Sequence, residues 1–273
     1  MNILVTINEG YLTQLQVMLF SLKRSNPKTQ FKIYLAHRTL TDQNILLLKT
    51  NLEDAQMQII AVKLPFCYGN ATVTSRYPVE VYDRLLAVHY LPNTIERILY
   101  FDPDIIVKGD LTELYCVKFE GKLFAGATHI RSTLKRFNEM RLGVVNCDLY
   151  VNTGVLLINM AKLRQKQDMA EILRTINHCT KPLLLPDQDI ITMVYGTEIK
   201  EIDSFRYNLS DRILQMSMKK LLPDKKIDMK WVEENTAIIH YCGKNKPWKK
   251  NYHGLLGQYY IEYAAEYAKL KKS

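Results

Sequence analysis

No apolar run in this sequence approaches the roughly 20 residues that a helix needs to cross a bilayer, so no membrane-spanning helix is expected. Glycine (11) and proline (9) are scarce in 273 residues, which excludes fibrous and low-complexity architectures. Cysteine is scattered. Cys67, Cys116, Cys147, Cys179 and Cys242 are odd in number and form no CxxC pair, so neither a disulfide framework nor a cysteine zinc site is expected. The start, Met-Asn-Ile-Leu-Val-Thr-Ile-Asn, has no basic residues and too short an apolar part for a secretory signal. These absences read as a cytoplasmic protein with reduced thiols. Also missing are GxGxxG after the first strand, GxxxxGK[ST], HExxH and GxSxG. The usual dinucleotide, P-loop, zinc-protease and serine-hydrolase readings fall with them.

What is present is ordinary in amount and uneven in placement. Apolar residues at 47% and charged residues at 24% fit a folded chain, and the length fits one large α/β domain or a domain with an appendage. Of the net charge of +9, +7 lies in residues 212–273, which hold 13 Lys/Arg against 6 Asp/Glu. Such a local excess suits an anionic ligand or an anionic membrane surface; a solvated lysine-rich face would give the same count. No basic helix interleaved with exposed aromatics runs through the body, so no nucleic acid is expected as a partner.

Hydrophobic periodicity gives a strand at Ile3–Ile7, then a helix with Leu12, Leu15, Met18, Leu19 and Leu22 at spacings of three and four. The helix stops before Asn26-Pro27. Strands follow at 31–37, 58–62 and 97–101, helices at 41–52 and 80–90, with an irregular segment at 65–78. This alternation implies βαβ units and a mainly parallel sheet. Beyond Phe101 the rhythm loosens: strands are expected at 123–128, 155–158 and 237–241, and helices at 169–176 and 187–195. The stretch 129–150 shows no pattern. Residues 254–270 read as an amphipathic helix.

Two stretches carry chemistry. In Ile98-Leu99-Tyr100-Phe101-Asp102-Pro103-Asp104, two aspartates sit two apart at the carboxyl end of an apolar strand, where open α/β sheets bind ligands. Extended residues two apart project to one side, so both carboxylates can meet one hard cation; a strand-ending turn would be spelled the same way. In His240-Tyr241-Cys242-Gly243-Lys244-Asn245-Lys246-Pro247-Trp248, a strand-end histidine precedes a glycine turn with two lysines. Histidine can complete an Asp/Asp/His site, glycine lets backbone approach a ligand, and lysine offers a point charge to phosphate. His89, His129, His178 and His253 match no ligand pattern.

These residues, in this order, resemble glycosyltransferase family 8, retaining enzymes that include bacterial lipopolysaccharide galactosyl- and glucosyltransferases and, more distantly, glycogenin. The resemblance spans about residues 2–252. It rests on a nucleotide loop ending in Tyr11, on Tyr82-Asp83-Arg84-Leu85, on Asp102-Pro103-Asp104 and on Val151-Asn152-Thr153-Gly154. Asp187-Gln188-Asp189 and the highly specific HxxGxxKPW of 240–248 complete it. It implies a Rossmann-like GT-A nucleotide-sugar-binding fold over 1–252, α/β with a mixed, mainly parallel sheet, followed by a C-terminal helical appendage over 253–273.

By the same resemblance, Asp102, Asp104 and His240 would hold Mn2+, or Mg2+ in its place, and Asp102 would also face the donor. Asn8 and Tyr11 would bind uracil, Tyr11 by stacking and Asn8 through its amide; many members carry Asp where Asn8 stands. Arg84, Asn152, Asp187 and Gln188 would surround the donor sugar, with Gln188 on the reactive face and Asp187 as its electrostatic partner. Gly243 and Lys246 would embrace the diphosphate. The implied activity is a retaining hexosyl transfer from UDP-glucose or UDP-galactose to a glycan, lipid-linked or protein-linked sugar; the expected location is the cytoplasm, either free or peripheral at the inner face of the plasma membrane. Two other classes remain: a nucleotide-sugar-binding protein without transfer activity, and a peripheral membrane or polyanion-binding module using the basic terminus. Tyr259, Tyr263 and Tyr267, four apart on the closing helix, suit docking on the body or an interfacial membrane contact.

Overall fold

The fold comes from a computed structural model, which describes residues 1–65, 68, 69, 71, 78–128, 132–144, 149–179, 183–219 and 227–271. Most of the expected irregular segment 65–78, His129 and part of the 129–150 stretch lie outside these residues. So do 272 and 273 of the expected appendage.

The amino-terminal half follows the alternation in the sequence. Strand β1 (Asn2–Ile7) runs through a 3-10 turn (Glu9–Tyr11) into α1 (Leu12–Ser25). Then come β2 (Phe31–His37), α2 (Asp42–Leu52) and β3 (Met57–Lys63). Helix α2 opens on a capping box in which Thr41 and Asn44 satisfy each other's backbone N–H groups, so Thr41 caps the helix from outside its first turn. The helix expected over 80–90 is instead a long 3-10 segment (Val79–Leu86) ending in one α turn, α3 (Ala87–Tyr90). Next are β4 (Arg97–Phe101), β5 (Ile105–Val107), α4 (Thr112–Tyr115) and β6 (Phe124–Thr128).

The second half holds more structure than its sequence advertises. Helix α5 (Ser132–Leu142) stands where no pattern is legible. Strand β7 (Val151–Asn159) starts four residues before its expected apolar core, so Asn152-Thr153-Gly154 lies within a strand rather than in a turn ahead of it. Then follow α6 (Met160–Lys166), α7 (Met169–His178), α8 (Pro186–Tyr195) and β8 (Ile199–Glu201). The short helices α9 (Ser204–Tyr207), α10 (Asp211–Met218) and α11 (Met229–Asn235) lead to β9 (Ile238–His240) and the closing α12 (Gly257–Leu270).

Seven strands form one sheet in the order β3-β2-β1-β4-β7-β6-β8, with β7 running against the other six. β1 and β4 are apolar and buried on both faces, as strands between two helical layers must be. Strand order turns back between β1 and β4, and a ligand crevice opens at the carboxyl ends of strands at such a switch point. Asn8 follows β1 there, and Asp102 follows β4.

Strands β5 and β9 form a separate antiparallel ribbon in which Ile105 pairs with His240. Helix α1 fixes this ribbon: the Val107 N–H donates to Ser21 Oγ (3.0 Å), and the Ser25 hydroxyl donates to Val107 O (2.8 Å). Helix α12 packs on α1 and sinks Tyr259, Tyr260 and Tyr267 into the core cluster that also contains Ile3, Val5 and Leu19. The Tyr267 hydroxyl and the Lys271 ammonium donate to Gln16 Oε1 at 2.8 and 3.0 Å. Among the described residues no helix is long and apolar enough to cross a membrane.

Candidate active site

The ends of β4, the β5–β9 ribbon and a bulge in β7 bring the site together. The Asp102 N–H donates to Gly154 O (2.9 Å), which ties the strand-end aspartate to β7. The Tyr241 N–H donates to Asp104 O (3.0 Å), which ties the second aspartate to the residue after His240. Against β6, the register of β7 jumps: Gly126 faces Leu156, and the next residue, Ala127, faces Asn152. Thr153 and Gly154 fall in that irregularity, and a bulge of this kind re-aims side chains beside a site.

Ligand atoms of Asp102, Asp104 and His240 lie within 4.8 Å of one another, the arrangement read from the DxD spacing and the strand-end histidine. Nε2 of His240 is 3.2 Å from Asp104 Oδ1 and 3.6 Å from Asp102 Oδ2. Each remaining atom of the set is already held. Asp102 Oδ1 accepts from the Tyr100 hydroxyl (2.7 Å) and pairs with Arg84 (3.0 Å), and Lys246 pairs with Asp104 Oδ2. Asp104 Oδ1 is buried without a hydrogen-bond partner, which is costly for a carboxylate oxygen unless a cation takes it.

Gly154 marks the same volume. A Cβ there would stand 2.1 Å from His240 Cε1, 2.7 Å from Asp102 Oδ2 and 2.8 Å from His240 Nε2. The residues therefore fit a divalent cation: two hard oxygens and an imidazole gathered against backbone that only a glycine lets come so close.

Charge is balanced closely here. Burial alone would raise the Asp104 carboxyl, but the Lys246 ammonium, by its charge and its hydrogen bond, with the His240 ring beside it, holds it well below the usual carboxylate range. Arg84 is 5% exposed and lies over the Tyr100 ring, 4.4 Å from its centroid. Its Nε–H donates to Val81 O (3.0 Å) and Nη1–H to Thr153 O (3.0 Å), and it pairs with Asp187 at 3.2 Å and with Asp102. Asp187 also accepts from the Thr153 hydroxyl, and burial pushes its carboxyl up, offset in part by Arg84 and Thr153. Gln188 follows Asp187 in the first turn of α8 and is half-buried.

Asp189 turns the other way. It pairs with Arg141 of α5 (2.6 Å), accepts from the Tyr150 hydroxyl (2.8 Å) and takes the N–H groups of Leu184 and Leu185 at 2.8 and 3.1 Å. It thus braces the start of α8 rather than the crevice.

At the carboxyl end of β1, Asn8 Oδ1 caps the 3-10 turn by accepting from the Gly10 N–H (3.1 Å). The Tyr11 ring meets Trp248 edge-on at 6.2 Å, and Lys246 Nζ lies 5.6 Å from the Trp248 ring centre. Gly243 has φ +102°, a conformation that glycine adopts without strain, and it turns the loop back toward the crevice. The loop after β1 and the loop after β9 thus meet at one corner.

Sequence reasoning missed three contributors: Tyr100, Thr153 as a partner of Asp187, and Asn208. Asn208 is fully buried, with Oδ1 2.9 Å from His240 Nδ1 and Nδ2–H donating to Asn152 Oδ1 (3.1 Å). Tyr100 and Thr153 adjoin motif residues and could have been found by asking what holds them; nothing in the sequence around Asn208 singles it out.

The sequence profile of Glycosyl transferase family 8 matches residues 2–252. A lipopolysaccharide 1,2-glucosyltransferase of Escherichia coli is 26% identical over 246 residues, covering 89% of this chain and 71% of that protein. General stress protein A of Bacillus subtilis is 24% identical over 264 residues, covering 92% and 88%. The crystal structure of the galactosyltransferase LgtC with donor and acceptor sugar analogues superposes with a TM-score of 0.80 at 21% identity, covering 97% of this chain and 96% of that one. That likeness gives the fold, GT-A.

Proposed function

The chain belongs to glycosyltransferase family 8, and from that premise we propose that it is a retaining hexosyltransferase that moves glucose or galactose from a UDP-sugar to a glycan, lipid-linked or protein-linked sugar. The observation that carries this reading is the convergence of Asp102, Asp104 and His240 at the switch point of the sheet, beneath Lys246 and beside the Arg84–Asp187 pair. Mn2+, or Mg2+ in its place, held by those three side chains would act as a Lewis acid toward a diphosphate leaving group, a contribution of several kcal/mol.

The rest falls to the chain's own groups. Lys246 is within reach of both Asp104 and the corner where Tyr11 and Trp248 meet, so its ammonium can pass from the carboxylate to a diphosphate entering there. Gly243 lets the loop backbone close on the same phosphates. Tyr11 stacks on uracil. Asn8, whose Oδ1 is partly spent on the Gly10 N–H, offers its second lone pair and its Nδ2–H2 group. Asn152 has Oδ1 occupied, so what it offers a sugar hydroxyl is Nδ2–H2.

Arg84 holds Asp102 and Asp187 in fixed positions around the donor sugar. Asp187 keeps negative charge near the oxocarbenium-like centre, in a site where such charge is little screened. Gln188, a neutral amide and a poor nucleophile, positions the reactive face. The protein works from the cytoplasm, with a weak membrane-surface contact through its basic carboxy-terminal region.

Asp104→Asn tests the reading. Metal-dependent UDP binding, measured by calorimetry with Mn2+ and with EDTA, is lost in the variant and present in the parent. Wild-type affinity in Asp104→Asn would remove the metal assignment. Nucleotide-sugar binding without transfer to any sugar acceptor would favour a protein that only binds its donor. Binding of polyanions that survives EDTA and falls with salt would favour the basic terminus as the working part.

A further inference from the structure

The hydrogen bonds behind His240 can be read in one direction only. The chain starts at the Gly154 N–H, a backbone donor that cannot be reversed, which points at Asn152 Oδ1 (3.2 Å). That fixes the Asn152 amide with its oxygen toward Gly154. The same oxygen lies 3.1 Å from Asn208, so the group that Asn208 presents to it must be Nδ2–H2. Asn208 therefore turns Oδ1 to His240 Nδ1 at 2.9 Å, and a carbonyl oxygen only accepts. Nδ1 of His240 therefore carries a proton, and Nε2 is the ring nitrogen that faces Asp102 and Asp104. Asn152, Asn208 and His240 are each nearly or fully buried, so water does not compete for these bonds.

From this we propose that Asn208 is a positioning residue for the cation, selecting through Asn152 and Gly154 the His240 tautomer that can ligate; the proposal rests on the metal-dependent reading above. A metal-bound histidine needs its distal nitrogen held by an acceptor, and loss of such a partner costs ten- to a hundredfold in metal affinity. Here the acceptor is a neutral amide, and its orientation is dictated by a main-chain N–H of β7. This gives the Asn-Thr-Gly sequence of β7 a second task besides lining the sugar site: Asn152 and Gly154 set the direction of the relay, while Gly154 also gives the His240 ring and the Asp102 carboxylate their room.

The test uses the full chain without nucleotide. Mn2+ affinity is measured by electron paramagnetic resonance, and the ring nitrogens of His240 are followed by 15N NMR with Mg2+, assigned by the signals lost in His240→Gln. In the parent, Nδ1 carries the proton. Asn208→Leu raises the Mn2+ dissociation constant ten- to a hundredfold and admits the Nε2–H tautomer. Asn208→Asp, which keeps an acceptor toward Nδ1, stays within a few-fold of the parent. An unprotonated Nδ1 in the parent would overturn the proposal even if Asn208→Leu fails to fold, and so would parent-like Mn2+ binding by Asn208→Leu. A parent that binds no Mn2+ at all would overturn the functional reading and this inference together, a result distinct from either of the others.

Discussion

At position 154 a single methyl group would not fit beside the Asp102, Asp104 and His240 side chains. The Cβ of an alanine there would overlap His240 and Asp102, and backbone on both sides is committed, Gly154 N–H to Asn152 and Gly154 O to the Asp102 N–H. Gly154→Ala must therefore push ligands apart or move β7. The expected result is loss of Mn2+ binding together with about 1–3 kcal/mol of stability, the usual cost of overpacking, read by metal titration and urea unfolding. Unchanged metal affinity would mean that the cation sits elsewhere. The convergence of Asp102, Asp104 and His240 was legible because its signal is local: two aspartates two apart, and a histidine before a glycine turn. Asn208 was not, because one asparagine between Tyr207 and Leu209 acquires meaning only through its contact with His240.

Among the elements, the 3-10 segment Val79–Leu86 shows best why periodicity can mislead. Apolar spacing over 80–90 reads as an α-helix, yet the adjacent Asp83 and Arg84 must reach different partners. Asp83 takes the Arg38 guanidinium, Nη2–H at 2.6 Å, and the Tyr68 hydroxyl at 2.7 Å, while Arg84 spans Asp102 and Asp187. The tighter winding of a 3-10 helix meets both demands, at the cost of poorer internal hydrogen bonds. Asp83 is fully buried, so Arg38→Met strands a charge and should cost about 3–5 kcal/mol in urea unfolding. Asp83→Asn in the Arg38→Met background should recover part of that loss. Equal stability of parent and Arg38→Met would show the pair to be solvated. Helix α12 gives the second test at this scale. Tyr259, Tyr260 and Tyr267 belong to the core, so deleting residues 257–273 should yield insoluble or unfolded protein; a soluble truncation with the parent's melting temperature would mean that the helix is an accessory.

For the molecule as a whole, ligand linkage is the most direct reading of function. A donor at about 100 times its dissociation constant adds about 2.7 kcal/mol. Thermal unfolding with UDP-glucose, UDP-galactose, UDP-N-acetylglucosamine and GDP-mannose should show an increase with one UDP-hexose in Mn2+ and none in EDTA. A flat response from a cooperatively unfolding sample would point away from a nucleotide-sugar donor. The first half of the fold was readable because each parallel strand is a short apolar run closed by a turn signal. The second half was not. α5 offers no such signal, β7 hides its first residues in polar letters, and α9 to α11 are too short for a periodic pattern.

The β5–β9 ribbon has a further consequence, for the order in which the molecule is made. All seven strands of the large sheet have been synthesised by Glu201, but the ribbon that sets His240 beside Asp104 needs β9, and Lys246 comes later still. A nascent chain can thus pair the strands of its main sheet while it still lacks His240 and Lys246, two of the side chains that converge on Asp104. Completion of the candidate site, like the packing of α12, therefore waits for residues 238–270, and a product ending early would lack both the site and the helix that seals the core.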